Sequence, residues 1–333
     1  MNRGVVLGLA LRVVRGLPRP LQRAVLGRAS AGEPPPVADF VRMLEIAGDM
    51  PETGPTDAEL FARFPQLAAV RVTEPAIDGV PARLYHGPGA PQAGFVWVHG
   101  GAFVSGSLRM AEAHFVALAL AARGIAVLSL DYRKALHGGH FPQASDDVLA
   151  GWTWAVRNAD RFGVGVERLH LGGASAGGNI VAGVSKRLRD GAGRAPASVV
   201  LVYPAVHPEL PELSGELLAA VRRTPGAVNF TPGWVADMSL HYAGDADTLK
   251  DPYAFAANGD VGGLPPTLIL NCEADTLRAS GEAYADQLRA AGVPVTVHLE
   301  PGAAHGCVGD PFTVAARNSI DRMSEWLLGQ PLS

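Results

Sequence analysis

The chain has 333 residues, 48% of them hydrophobic, enough to bury one sizeable core, and α/β folds of this length commonly form a single unit. A formal net charge of −4 excludes the global basic field that nucleic-acid binding uses. Only two cysteines occur, Cys272 and Cys307, which excludes a disulfide scaffold; the pattern predicts two buried reduced thiols and a cytoplasmic protein.

Residues 1–32 hold six arginines (Arg3, Arg12, Arg15, Arg19, Arg23, Arg28) and no acid. The apolar run 5–10 inside this segment is too short to span a bilayer, and no clear Ala-x-Ala-type cleavage site follows it. Two readings stand: a basic amphipathic helix on a membrane surface, or a cap helix packed on the body of the protein. The cap is favoured, because charge on the solvated face of a packed helix is the commoner case. Glu33-Pro34-Pro35-Pro36 then reads as a stiff connector. Helices are predicted over 37–48 and 56–64, the second with Thr56 as N-cap and Glu59 at the capping-box position. Residues 69–73 and 80–85 alternate as strands joined around Asp78-Gly79 as a hairpin.

From residue 94 the character changes. The short continuous apolar runs 95–98 and 125–130 are those of strands buried on both faces of a parallel sheet. Further strands are predicted over 168–171, 198–203, 267–271 and 295–299, and helices over 111–123, 144–162, 180–189, 277–291 and 311–328. Alternation of this kind predicts an α/β fold with a mostly parallel central sheet, flanking helices and right-handed crossovers. Residues 206–260, rich in Pro, Gly and isolated aromatics, interrupt it as a partly helical insertion over the sheet's C-terminal edge.

Gly173-Ala174-Ser175-Ala176-Gly177 lies between an apolar, strand-like run and a small-residue, helix-compatible one. That context is a nucleophile elbow: a serine on a sharp strand-to-helix turn, with glycines where the turn is tight. A serine hydroxyl is a poor nucleophile at neutral pH and needs a base held by a carboxylate. In an elbow-type site these follow the serine in the order acid, then histidine. The strand 267–271 is followed by Cys272-Glu273-Ala274-Asp275, and the strand 295–299 by Glu300-Pro301-Gly302-Ala303-Ala304-His305-Gly306. Asp275 is preferred to Glu273, which stands closer to the strand end. His298 lies inside an alternating strand, and His137, His140, His207 and His241 precede the acid. Val98-His99-Gly100-Gly101-Ala102-Phe103, directly after a buried strand, is a loop of the His-Gly-Gly-Gly type whose backbone N–H groups form an oxyanion hole, and Ala176 adds another. His99 is read as organising that loop.

With these motifs the chain resembles the hormone-sensitive-lipase-like group of α/β-hydrolase esterases, from about residue 69 to the C-terminus. The resemblance rests on His99-Gly100-Gly101-Ala102-Phe103, Asp131-Tyr132-Arg133, the run Gly173 to Asn179, Asp251-Pro252-Tyr253, Gly263-Leu264-Pro265-Pro266-Thr267, Asp275-Thr276-Leu277-Arg278 and His305-Gly306. It implies the α/β-hydrolase fold, Ser175 as nucleophile, Asp275 as acid and His305 as base. It also implies Gly101, Ala102 and Ala176 as oxyanion donors with Gly100 assisting, and neither metal nor organic cofactor. A helical cap is implied too, matching an N-terminal segment over 1–60 and the insertion 206–260 in a hydrolase domain over 61–333.

The departures from the family pattern bear on substrate. Ala174 stands where an Asp often precedes the serine, and Lys134 to Phe141 replaces a Pro-Glu-aromatic run. Thr276 replaces the usual Pro, and Ala279-Ser280 an acidic pair. The expectation is a serine carboxylesterase acting on short- to medium-chain esters through an acyl-enzyme. Acyl transfer, lactone opening or amide hydrolysis at the same triad, and a non-catalytic ligand-binding role, are the alternatives. The expected partner is a small-molecule ester and not nucleic acid. A homodimer is left open.

Overall fold

The apolar runs of the sequence form the interior of one eight-stranded sheet in this computed structural model, which describes residues 34–47 and 54–329. The basic segment and cap helix expected within residues 1–33 lie outside the described residues. The strands are β1 (Arg71–Thr73), β2 (Ala82–His86), β3 (Ala93–Val98), β4 (Ile125–Leu130), β5 (Leu169–Ala174), β6 (Val199–Val202), β7 (Thr267–Ala274) and β8 (Val295–Ala304), in the order β1-β2-β4-β3-β5-β6-β7-β8. The pairings of β2 with β1 and β4 are antiparallel and all others are parallel. This is the α/β-hydrolase architecture.

Alternation along β3 explains the layers. Val96 and Val98 face one hydrophobic cluster and Phe95 and Trp97 the other, because successive strand side chains point to opposite faces. The first face is covered by α1 (Val37–Ala47), α4 (Gln143–Arg157), α6 (Ala176–Arg187), α8 (Pro232–Ala243) and α9 (Arg278–Ala290). The second is covered by α2 (Asp57–Arg63), α3 (Ala111–Ala121) and α10 (Val314–Leu328). Two short helices, α5 (Ala159–Phe162) and α7 (Gly215–Arg223), complete the set used here. Trp97, Trp152 and Phe162 are fully buried, each contributing about 2 to 3 kcal/mol of hydrophobic stabilisation.

Local chemistry accounts for several boundaries. Thr56 caps α2 in a complete capping box with Glu59, as its sequence predicts. The single helix expected over 144–162 is two: Asn158 leaves the helical region and its amide donates to the Trp154 carbonyl at 2.8 Å, ending α4. Strands β7 and β8 run beyond their expected ends. Pro301-Gly302 reads as a turn in sequence, but here it sits in an irregularity of the β7–β8 ladder, where the Gly302 N–H donates to Glu273 Oε2 at 2.6 Å.

Residues 206–260 are partly helical, as expected. Ser214 caps α7 and Thr231 caps α8. The Trp234 indole donates to the Pro35 carbonyl at 2.8 Å, tying α8 to the chain entering α1. Among the described residues no helix is long and apolar enough to cross a membrane.

The strand order decides where a site forms. From β3 the chain crosses to β4 on one side, while β5 lies on the other side of β3. The crossovers diverge here, so the carboxyl ends of β3 and β5 frame an open crevice.

Candidate active site

Ser175 occupies the one-residue junction between β5 and α6, with φ 53° and ψ −119°. This is a strained backbone for a residue with a side chain, and it persists because the surroundings hold it. The Ser175 N–H donates to the Val202 carbonyl at 2.9 Å, and its own carbonyl accepts from Asn179 N–H at 3.1 Å. The flanking glycines are required by space. A Cβ on Gly173 would lie 2.5 Å from the Gly177 oxygen, and one on Gly177 would lie 2.3 Å from the His99 oxygen. The start of α6 is thereby pressed against the end of β3.

His305 follows β8 and meets both other predicted residues. Its Nε2 lies 3.0 Å from Ser175 Oγ, and its Nδ1 lies 2.7 Å from Asp275 Oδ2. Asp275 follows β7, is fully buried, and accepts the Leu277 N–H on its other oxygen at 3.0 Å. A carboxylate accepts at Nδ1, so that nitrogen carries the proton and Nε2 faces the serine hydroxyl as acceptor. Burial is the largest influence on the imidazole and opposes its charge. The Asp275 carboxylate, through charge and hydrogen bond, and Glu112 beyond it outweigh burial and raise the pKa above the ordinary 6.5. The ring is walled by Tyr203 at 4.7 Å and Phe230 at 5.0 Å between centroids.

The loop after β3 fixes the direction of its N–H groups through its carbonyls. Within a trans peptide the N–H opposes the C=O, so holding one aims the other. The Gly100 carbonyl accepts from His99 Nδ1 at 2.6 Å and from the Tyr132 hydroxyl at 3.2 Å, which sets the Gly101 N–H. The Gly101 carbonyl accepts from Val104 and Ser105 N–H and from Ser105 Oγ, at 3.1, 2.9 and 2.8 Å, which sets the Ala102 N–H. Gly101 (φ 123°), Ala102 (φ 52°) and Phe103 (φ 65°) all have positive φ, so the chain curls tightly. Among the described residues the N–H groups of Gly101, Ala102 and Ala176 have no protein acceptor. Gly100 differs from expectation: its N–H donates to Glu112 Oε1 at 2.6 Å and is not available as an oxyanion donor. A backbone N–H makes one good hydrogen bond, and a buried carboxylate takes this one.

The rival residues are engaged elsewhere. Glu273 braces Gly302, and His298 lies 3.5 Å from Glu300. His207 meets Ser280 Oγ, His241 the Ala135 carbonyl and His140 the His241 carbonyl. His99 organises the oxyanion-type loop. Of the aromatics in the N-terminal and inserted segments, Phe230 lies beside His305 and meets Trp234 at a tilt with centroids 5.2 Å apart, while Tyr242 is core, packed on Phe103 at 3.9 Å. Phe40 packs against the first cluster, and Phe61 and Phe64 against the second. Cys272 and Cys307 are buried free thiols with their sulfurs 3.3 Å apart. Glu112 and Tyr203 carry no motif. Glu112 is nonetheless visible as one of only two polar residues in the otherwise apolar helix α3, where a carboxylate needs partners.

Comparison with known proteins agrees with this geometry. A family model described as alpha/beta hydrolase fold matches residues 95–309. The chain is 33% identical over 265 residues to Esterase LipI of Mycobacterium tuberculosis, covering 76% of this chain and 80% of that protein. It is 32% identical over 262 residues to Carboxylesterase NlhH of the same organism, covering 75% and 79%. A solved esterase from the bacterial hormone-sensitive lipase (HSL) family superposes with a TM-score of 0.70 at 26% identity, covering 98% of this chain and 96% of the other. The chain belongs to the alpha/beta hydrolase fold family, in its hormone-sensitive-lipase-like group.

Proposed function

We propose that the protein is a carboxylic ester hydrolase that works through Ser175, His305 and Asp275 and acts on short- to medium-chain esters. The observation that carries this reading is the unbroken hydrogen-bonded line from Asp275 Oδ2 through the His305 ring to Ser175 Oγ, with contacts of 2.7 and 3.0 Å. Esterase relatives of the same fold support it.

In this mechanism Ser175 Oγ attacks the ester carbonyl carbon as His305 Nε2 takes its proton. The carbonyl oxygen gains charge and is met by the N–H groups of Gly101, Ala102 and Ala176, each such donor typically stabilising the transition state by about 3 kcal/mol. His305 returns the proton to the departing alkoxide, leaving an acyl-serine and a free alcohol. Water then attacks the acyl carbon, giving its proton to His305; the bond to Ser175 Oγ breaks, Oγ takes that proton back from His305, and the carboxylic acid leaves. Asp275 holds the imidazole in the tautomer that both steps need and stabilises the imidazolium. The Phe230 ring beside His305, with Trp234 packed behind it, supports a site for modest acyl chains.

The test is a p-nitrophenyl ester series from acetate upward, with wild type and Ser175→Ala, in the presence and absence of an alcohol acceptor. Serine-dependent turnover peaking on short or medium chains is expected. Undiminished turnover by Ser175→Ala overturns the reading, and product partitioning to the alcohol in preference to water identifies an acyltransferase instead.

A further inference from the structure

Beneath the candidate site lies a buried carboxylate that the mechanism above does not use. Glu112 sits in the first turn of α3 with 6% of its surface exposed. That helix is otherwise almost wholly buried and apolar, so a charged residue is retained there against a desolvation cost of several kcal/mol unless it is well partnered.

Its partners all lead to the site. Oε1 accepts the Gly100 N–H at 2.6 Å, and Oε2 accepts the Tyr203 hydroxyl at 2.5 Å. The Glu112 carbonyl accepts the Trp97 indole N–H at 2.9 Å, which ties its backbone to β3. Gly100 is wedged between this carboxylate and the serine: a Cβ there would lie 2.7 Å from Glu112 Oε1 and 3.0 Å from Ser175 Cβ. Tyr203, just past β6 and at φ 38°, lays its ring 4.7 Å from that of His305. One side chain therefore grips the first residue of the oxyanion-type loop and, through a tyrosine, the histidine.

We infer that Glu112, together with Tyr203, is a positioning residue for the ester hydrolysis: its carboxylate anchors Gly100 so that the following N–H groups present correctly, and it places a second negative charge under His305. This rests on the reading of Ser175 and His305 given above. The charge acts in the same direction as Asp275, favouring the imidazolium that forms when Ser175 gives up its proton. Among the described residues the thiols of Cys272 and Cys307 adjoin Tyr203, the Tyr132 hydroxyl and His99 hold the Gly100 carbonyl, and Asp131 stands behind them on His99. Burial and the Glu112 charge raise the pKa of the Tyr203 hydroxyl well above its ordinary value, so it remains a donor across the working range.

Three variants separate the two roles. Glu112→Gln retains an acceptor for the Gly100 N–H and removes the charge. Glu112→Ala removes both, and Tyr203→Phe keeps the ring on His305 but removes its hydroxyl tie. For Glu112→Gln the acid limb of kcat/KM should move to lower pH by about half a unit or more, since less negative charge lowers the histidine pKa. For Glu112→Ala kcat should fall about tenfold or more with KM within about threefold, because a displaced donor is missed only in the transition state. Tyr203→Phe leaves the Glu112 charge in place, so its limb should stay near that of wild type while kcat falls modestly. A merely structural glutamate would lower thermal stability and active fraction, as counted by fluorophosphonate titration, and leave the pH limb of the active molecules in place. An unmoved limb in Glu112→Gln overturns the inference, and if that variant does not fold, an unmoved limb in Glu112→Ala, or wild-type kcat in Tyr203→Phe, does. Ser175→Ala is run alongside. If it stays active, the catalytic reading itself falls; if it is dead while the limb is unmoved, only the role of Glu112 falls.

Discussion

At the carboxyl ends of β3 and β5 the chain is held by backbone and buried side chains together: the Gly100 and Gly101 carbonyls are clamped, the Ser175 peptide is bonded on both sides, and glycines admit no side chain. Residues 206–260 approach the same place differently. At the site they contribute the Phe230 ring, with Trp234 packed against it, and a carbonyl of Phe230 that accepts the Thr276 hydroxyl at 2.9 Å. The difference teaches a division of labour. Chemistry requires placement to a fraction of an ångström and is built where sheet hydrogen bonds over-determine the geometry, whereas a surface that sorts acyl chains needs only shape and tolerates change.

This comparison breaks if substitutions at the strand ends are mild. The largest expected effect is that of Ser175→Ala, which should lower kcat on p-nitrophenyl butyrate by about 10⁴-fold or more while leaving thermal stability near wild type. Asp275→Asn should cost a comparable factor, about 10⁴, because an amide favours the wrong imidazole tautomer. Gly177→Ala tests the scaffold itself. Its methyl group meets backbone oxygens of Val98 and His99 at 2.4 and 2.3 Å, so the elbow must shift. A loss of about 2 to 3 kcal/mol in denaturant unfolding, with a fall in kcat, is expected. A neutral result would show that the elbow is not held as tightly as its contacts indicate.

The cap side of the comparison is sharpened by smaller effects. Phe230→Ala should change kcat/KM by about tenfold or less and move the chain-length optimum upward, since removing a ring beside His305 opens space. An unchanged profile would place acyl recognition elsewhere. The pH dependence belongs to the strand ends again. His305 must be neutral to accept the serine proton, and its pKa is raised, so kcat/KM should fall as pH drops through a midpoint above 6.5. A limb below that value would show that burial outweighs the Asp275 and Glu112 charges. Last, intact mass should be the same with and without reductant, because Cys272 and Cys307 are free thiols in contact and not a disulfide.

Much of this was legible in one dimension. Ser175, Asp275 and His305 could be read off because each follows an apolar strand, and a parallel sheet delivers the carboxyl ends of its strands to one edge. The loop at His99 to Ala102 was legible for the same reason. Its donor set was not: the sequence shows two glycines with equivalent N–H groups, and only the fold reveals that Gly100 spends its own on Glu112. The extents of β7 and β8 were missed because Pro301-Gly302 has turn chemistry that the ladder absorbs as a bulge. The aromatics Phe40, Phe61, Phe64, Phe230, Trp234 and Tyr242 were indistinguishable by residue type. Packing divided them into core, opposite face and site.

Local patterning thus determined by itself the class of fold, the strand-end positions and the identities of the three proposed catalytic side chains, since hydrophobic period and turn chemistry are short-range properties. Tertiary structure alone decided which N–H groups stay unpaired, which aromatic rings border His305, and that an acid in the first turn of an apolar helix lies beneath the site. Those outcomes depend on groups far apart in the chain competing for the same hydrogen-bond partners and the same space, and no local pattern records that competition.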